Sequence, residues 1–464
     1  MRHMQKNERT NSLWQIGTRI ALTMLALSLA AIPSSHGEGR PGQDQGGKGR
    51  AAEVKQRLAA DYDRLATLYK HLHANPELSL REARTAARLA RELKEVGFEV
   101  TENVGGHGVV AVLKNGDGPT VLVRTDMDAL PVIEQTGLPY ASKVRTRDKN
   151  ENEVGVMHAC GHDVHMTCWV GTARMLAGLK NRWKGTLVFI GQPAEEIGAG
   201  ARMMLGAGLF KKFPQPDYGL ALHCAANLPY GSVAYTEGLA MANVDSVDII
   251  VHGKGGHGAA PHTTIDPVVL AARIVLDLQT LVSRETNPID PAVVTVGSIH
   301  GGSKHNIIPN EVHMQLTVRS TKDTVRKHLL DGIRRIAEAA AKGAGAPAPE
   351  IKVNPEEFTP ALLNDSALTQ KTVAVFKEVL GADKVVARPP MMGGEDFSRY
   401  GRAKVPICLY WLGTIDPKRV ADSQREGGKP LPSLHSDHFA PVPEPSIKTG
   451  VLTMSLAVLN LLGK

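Results

Sequence analysis

The sequence predicts an α/β protein: a mainly parallel twisted sheet with helices on both faces, carrying an inserted ferredoxin-like α+β unit. Three observations predict it. Apolar strand-like runs alternate with helical runs through residues 54–238 and again after 354. Near Leu239 the pattern changes to strand, helix, strand, strand, helix, strand, which reads as a separate insert over 239–353. Glycine is common at 46 of 464 residues and aromatics are scarce at 4%, which suits an α/β enzyme better than a coiled coil or an all-β receptor. The length alone calls for two or three domains.

The N-terminus reads as a targeting segment. Arg2, Lys6, Arg9 and Arg19 supply positive charge, residues 20–32 are uncharged and apolar, and "PSSHGEG" follows. A charged flank, an apolar core too short for a comfortable membrane span, and small residues predict an export signal over 1–38. Residues 39–53, "GRPGQDQGGKGRAAE", are then a flexible linker, and the mature protein is expected to be periplasmic or secreted. The net charge of +7 is mild and no long basic run appears, which excludes nucleic acid as a partner.

Residues 54–80 and 81–97 have helical spacing. Residues 108–132 read as two strands joined by an Asn-Gly-Asp-Gly turn. "TCWVGTARMLAGL" is a helix, "GTLVFIGQPAEE" a buried strand with a carboxylate-rich tip, and "YGLALHC" another strand. After the insert, helices and strands resume through 354–464, ending in a helix over "PSIKTGVLTMSLAVLNLL".

Chemistry-bearing residues cluster at the ends of these runs. "VGVMHACGHDVHMT" packs Cys160 among His158, His162 and His165. Asp126 and Asp128, Glu195 and Glu196, and His223 each follow an apolar run, where open α/β sheets build their sites. Cysteine, histidine and carboxylate are the ligands of zinc-like ions. An even count of four cysteines (Cys160, Cys168, Cys224 and Cys408) also invites disulfides in an exported chain. The flanking histidines favour one metal-bound thiolate and three plain or buried thiols.

"RTDMDALP", "MHACGHDVH", "GQPAEEIGAGA", "GLALH", "GKGGHGAAPH", "KHNIIPNE", "MMGGEDF" and "LHSDHF" occur in that order across residues 124–439. This set resembles the dinuclear metallopeptidase family of aminoacylases and carboxypeptidases, and within it the branch of hippurate and indole-3-acetyl-amino-acid hydrolases. The resemblance implies that Cys160, His162, Glu196, His223 and His435 hold two divalent ions, with zinc favoured and manganese, cobalt or nickel able to use the same ligands. It implies that Glu195 is the general base and that Asp128 orients a ligand histidine. It also implies that His257, Asn306 and Arg319 on the insert contact substrate, with His257 assisting catalysis. In relatives the insert is a lid that also forms the homodimer, and its histidine can reach the partner's site. One local departure is Asp437, standing where relatives commonly show proline, with His438 three residues beyond His435.

The expected activity is hydrolysis of the amide bond of N-acyl amino acids by a metal-bridged hydroxide that Glu195 generates, while Arg319 and Asn306 hold the free carboxylate of the amino-acid half. A dipeptidase or carboxypeptidase using the same site is the nearer alternative. A non-catalytic metal- or ligand-binding protein is the more distant one.

Overall fold

The computed structural model describes residues 46–148 and 151–463, so the expected export signal at 1–38 lies outside the described residues. Helices α1 (Gly46–Ala74) and α2 (Ala83–Glu95) come first, then strands β1 (Glu99–Thr101), β2 (Val109–Asn115) and β3 (Thr120–Asp126). Helix α3 (His162–Gly178), β4 (Gly185–Gln192), β5 (Tyr218–Pro229) and β6 (Val233–Tyr235) follow. The next stretch holds β7 (Asn243–His252), β8 (Gly256–His257), α4 (Pro267–Thr280), β9 (Ala292–Gly301), β10 (Ile307–Ile308), β11 (Glu311–Ser320), α5 (Asp323–Gly343) and β12 (Glu350–Val353). Helix α6 (Ser366–Leu380), β13 (Val385–Ala387), β14 (Ile407–Ile415) and α7 (Pro443–Leu462) complete the path.

The large sheet has the order β1-β2-β4-β3-β5-β14-β6-β13. Its centre, β4-β3-β5-β14, is parallel, while β1 and β2 run antiparallel at one edge. Strand β14 is buried along its whole length and β3 and β4 nearly so, because both faces are covered. One face packs Leu65, Trp169 and Val451 of α1, α3 and α7. The other packs Val110, Leu122, Ile190 and Phe397 under the short helices Gly200–Gly206 and Ser398–Arg402. Helix α7 is apolar enough to cross a membrane by composition, but it is a core helix, mostly buried against α1 and α3.

The second sheet has the order β9-β11-β7-β12 and is antiparallel throughout. Helices α4 and α5 bury Val247, Ile249, Leu329 and Ile333 against it, forming a core of its own. Strand β7 alternates buried and half-buried residues, as a strand covered on one face must. Strand, helix, strand, strand, helix, strand with this order is the ferredoxin-like arrangement.

Two local expectations are corrected. The expected linker is helical from Gly46 onward. Ala51 and Val54 are buried in the core, and that packing outweighs the low helix propensity of the glycines. The strands β2 and β3 are not paired with each other, because β4 lies between them, antiparallel to β2 and parallel to β3. Their glycine-rich turn crosses the start of β4. A Cβ on Gly118, at φ +155°, would stand 2.9 Å from the carbonyl oxygen of Lys184.

Candidate metal centre

The parallel strands β3 and β4 end at Asp126 and Gln192, and the polar residues that follow them face the start of α3. Gly161, at φ +85°, makes the turn between Cys160 and His162, and a Cβ there would sit 2.9 Å from Cys224 Sγ. Only glycine fits this turn without displacement. It brings both ligand types of the histidine-rich loop to one place.

Donor atoms of Cys160, His162 and His223 lie within 4.8 Å of one another, and so do those of Cys160, Glu196 and His435. Cys160 belongs to both triads. Its Sγ is 3.5 Å from His223 Nε2. Glu196 joins the halves, with its carboxylate 3.7 Å from His162 Nε2 and 3.4 Å from His435 Nε2.

The histidines are preset as ligands. His162 Nδ1 donates to the Asp128 carbonyl at 2.8 Å, and His223 Nδ1 donates to the Cys224 carbonyl at 2.8 Å. A carbonyl only accepts, so each ring donates from Nδ1 and points Nε2 inward, where the neutral form offers a lone pair. His162 Nε2 and Glu196 Oε1 are buried with no hydrogen-bond partner. Such orphaned atoms are costly unless something satisfies them.

The charge balance points the same way. Burial, and the carboxylates of Glu196 and Glu195, push the Cys160 thiol well above its usual range, so its ionisation calls for added positive charge. Burial works against charge on His162, but Asp126, Asp128 and Glu196 outweigh it and raise the imidazole to about 10. Burial lowers His223 and His435, which favours the neutral ligand form. The donor set and its surplus of negative charge fit divalent cations.

The remaining expected site residues separate. Glu195 stands beside the cluster, 3.9 Å from His162 Nε2. Asp128, fully buried, reaches His162 through its carbonyl, with its carboxylate at 3.5 Å. Arg319 lines a cavity of about 640 Å³ together with Cys160, Glu195, His223 and His435. His257 and Asn306 do not line that cavity. They sit together in another, of about 530 Å³, where β8 pairs with β10. The expected grouping of His257 with Glu195 is therefore not made within one chain, because β8 holds His257 exposed on the insert. His435, at φ +67°, has its N–H bonded to the Ala159 carbonyl, beside Cys160. His438 instead faces Asp437 at 2.7 Å and is exposed. Asp437 also ties its loop to Gln135 through backbone and side chain. No disulfide forms: all four cysteines are free and buried.

Several polar residues at the site had no assigned role in the sequence. Arg124, fully buried, pairs with Asp126, Glu395 and Asp396 at 2.8–3.1 Å. The donor atoms of Glu195, Glu395 and Asp396 also lie within 4.8 Å of one another. The motifs "RTDMDALP" and "MMGGEDF" contained these residues, but nothing local shows that they meet. His165 bonds Asp126 at 2.7 Å and accepts the Cys224 N–H.

His73 is the other unforeseen group. It lies buried between Asp163 at 2.7 Å and Glu134 at 3.0 Å, joining α1 to the start of α3. Burial opposes its charge, but the bonds to Asp163 and Glu134 prevail and hold it at about 10. A pKa raised by folding stabilises the protein fully below the unfolded value of about 6.5, and that contribution is lost as pH climbs through the folded value. His73→Gln is expected to cost about 3–5 kcal/mol at mildly acidic pH. Urea unfolding across pH should show this deficit shrinking towards pH 10, and a pH-independent deficit would refute it.

Residues 122–426 match the profile of Peptidase family M20/M25/M40. The chain belongs to this family. As an M20 member it is a metal-dependent hydrolase, of a family of amidohydrolases and carboxypeptidases. It is 36% identical over 406 residues to thermostable carboxypeptidase 2 of Saccharolobus solfataricus, covering 87% of this chain and 96% of that one. It is 39% identical over 344 residues to the hippurate hydrolase of Campylobacter jejuni, covering 73% and 85%. The crystal structure of Bacillus subtilis YXEP, described as a dinuclear metal binding peptidase from the M20 family, superposes with a TM-score of 0.69 at 32% identity, covering 87% and 99%.

Proposed function

We propose that this M20 hydrolase cleaves the amide bond of N-acyl amino acids of the hippurate type, with Glu195 as general base. One observation carries the reading. Glu195 borders both the shared-thiol cluster and a cavity holding Arg319, whose guanidinium has no carboxylate partner among the described residues. Burial pushes that guanidinium below its usual value.

Cys160, His162, Glu196, His223 and His435 would hold two divalent ions, with Cys160 common to both. Zinc suits this thiolate and imidazole set. When bound, such ions acidify water and polarise an amide carbonyl. Glu195 takes a proton from water and returns it to the leaving amine. Arg319 grips the free carboxylate of the amino-acid half as a planar fork. Met241, Met391, Trp411 and Leu434 line the same cavity and exclude water around the acyl group. His257 and Asn306 act across a homodimer built by the insert, reaching the partner's cavity. The enzyme works after export, in the periplasm or the medium.

The likeness to a carboxypeptidase supports a second reading, in which unmodified peptides are cleaved at the C-terminal residue. Both readings use the same carboxylate grip. Hippurate, acetylated amino acids and free dipeptides compared by kcat/KM on the metal-loaded protein separate them. Higher values on dipeptides would overturn the proposal. Arg319→Ala is expected to raise KM for hippurate by about 10–100-fold, the worth of one charge-assisted pair. It should not alter KM for the uncharged amide of the same compound. Equal effects on both would remove Arg319 from carboxylate recognition.

A further inference from the structure

Glu195 is held from behind by its flanking backbone. Past the end of β4 the chain turns sharply, and Ala194 adopts φ +52°. A residue with a Cβ pays for this conformation, so surrounding bonds must enforce it. The Ala194 N–H donates to Glu82 Oε1 at 2.8 Å. The same oxygen accepts the N–H of Leu80 at 3.0 Å, and Leu80 is itself at φ +69°. On the other side, the Glu196 N–H donates to Asp128 Oδ2 at 3.0 Å, and Ser79 Oγ donates to that oxygen at 2.6 Å. Two buried carboxylates therefore grip the N–H groups on either side of Glu195.

Glu82 has no evident value as a stabilising charge. It is fully buried, and among the described residues its Oε2 has no partner and it pairs with no cation. An unpaired buried carboxyl is a liability, and an apolar residue would fill its place more cheaply. What it does supply is an acceptor at the one point where the catalytic turn is strained. Oε1 can accept in either protonation state.

We propose that Glu82 is a positioning residue for Glu195, its Oε1 fixing the Ala194 turn so that the Glu195 carboxylate faces the metal-side cavity. This rests on the reading of Glu195 as the base. Glu82 touches no reacting atom. Loss of its acceptor should appear in kcat rather than in ion content or KM, and its effect should need Glu195.

The test compares Glu82→Gln, which keeps an acceptor oxygen, with Glu82→Met, which keeps the shape and loses it. Both are assayed on hippurate, alone and combined with Glu195→Gln, with bound metal counted. Glu82→Gln is expected to stay near the parent rate. Glu82→Met should lower kcat by about 10²-fold, the cost of a misplaced catalytic group, with KM and metal content unchanged. Added to Glu195→Gln, it should cost nothing more. A Glu82→Met enzyme at the parent kcat, or one that loses as much again without Glu195, would overturn the strap while leaving the base reading intact. A fully active Glu195→Gln enzyme would instead remove the base reading. If Glu82→Met does not fold, amide exchange in the parent decides. The Ala194 N–H should be as protected as those of β4, and exchange at the rate of an open loop would overturn the proposal.

Discussion

Replacing Cys160 with alanine is expected to strip both ions from the protein and abolish hydrolysis. The residue belongs to both donor triads, so its loss takes a ligand from each at once. Loss of a supporting partner already costs about 10–100-fold in metal affinity, and loss of a shared ligand should exceed that for each ion. Metal counting after dialysis is the direct measurement. The parent should keep two ions per chain and the variant fewer than one. Cys168→Ala is the control. That thiol is fully buried in the core beneath α7, bonded to the Ile447 carbonyl, and belongs to neither triad. Its loss should lower stability and leave metal content unchanged. A Cys160→Ala protein that retains both ions would refute the shared thiolate.

Glu195→Gln is expected to lower kcat by about 10²–10⁴-fold, the usual contribution of a positioned acid–base group. The side chain keeps its size and loses its proton traffic. Burial, with Glu395 and Glu196 close by, pushes the Glu195 carboxyl well above the usual range. Glu195 also lies near His162 and Glu196, which raises the competing possibility of a sixth ligand. Metal counting separates the roles. A base leaves ion content intact when replaced, and a ligand does not. Parent-level turnover in the variant would remove Glu195 from the chemistry.

The dispensable and indispensable parts of the histidine-rich loop illustrate what local sequence can convey. Cys160 and His162 were legible because the glycine between them and the histidines around them have few other uses. His165 and His158 looked alike in sequence and differ in place. The first bonds Asp126, and the second is buried with both ring nitrogens unpartnered. His435, at φ +67°, stands within reach of Cys160 and Glu196, while Asp437 bonds the exposed His438.

The sequence by itself conveyed the alternation of strands and helices and the ferredoxin-like insert through short-range spacing, and its ordered motifs carried the resemblance that implied the metal-ligand set. It could not decide that β4 separates β2 from β3, or that His257 lies in a different cavity from Glu195. Nor could it reveal the pairing of Arg124 with Glu395 across 271 positions, of Glu82 with Ala194 across 112, or of His73 with Asp163 across 90. Those contacts join buried polar groups that share no local pattern. Their partners are chosen only when folding removes water and every remaining donor and acceptor must find its match.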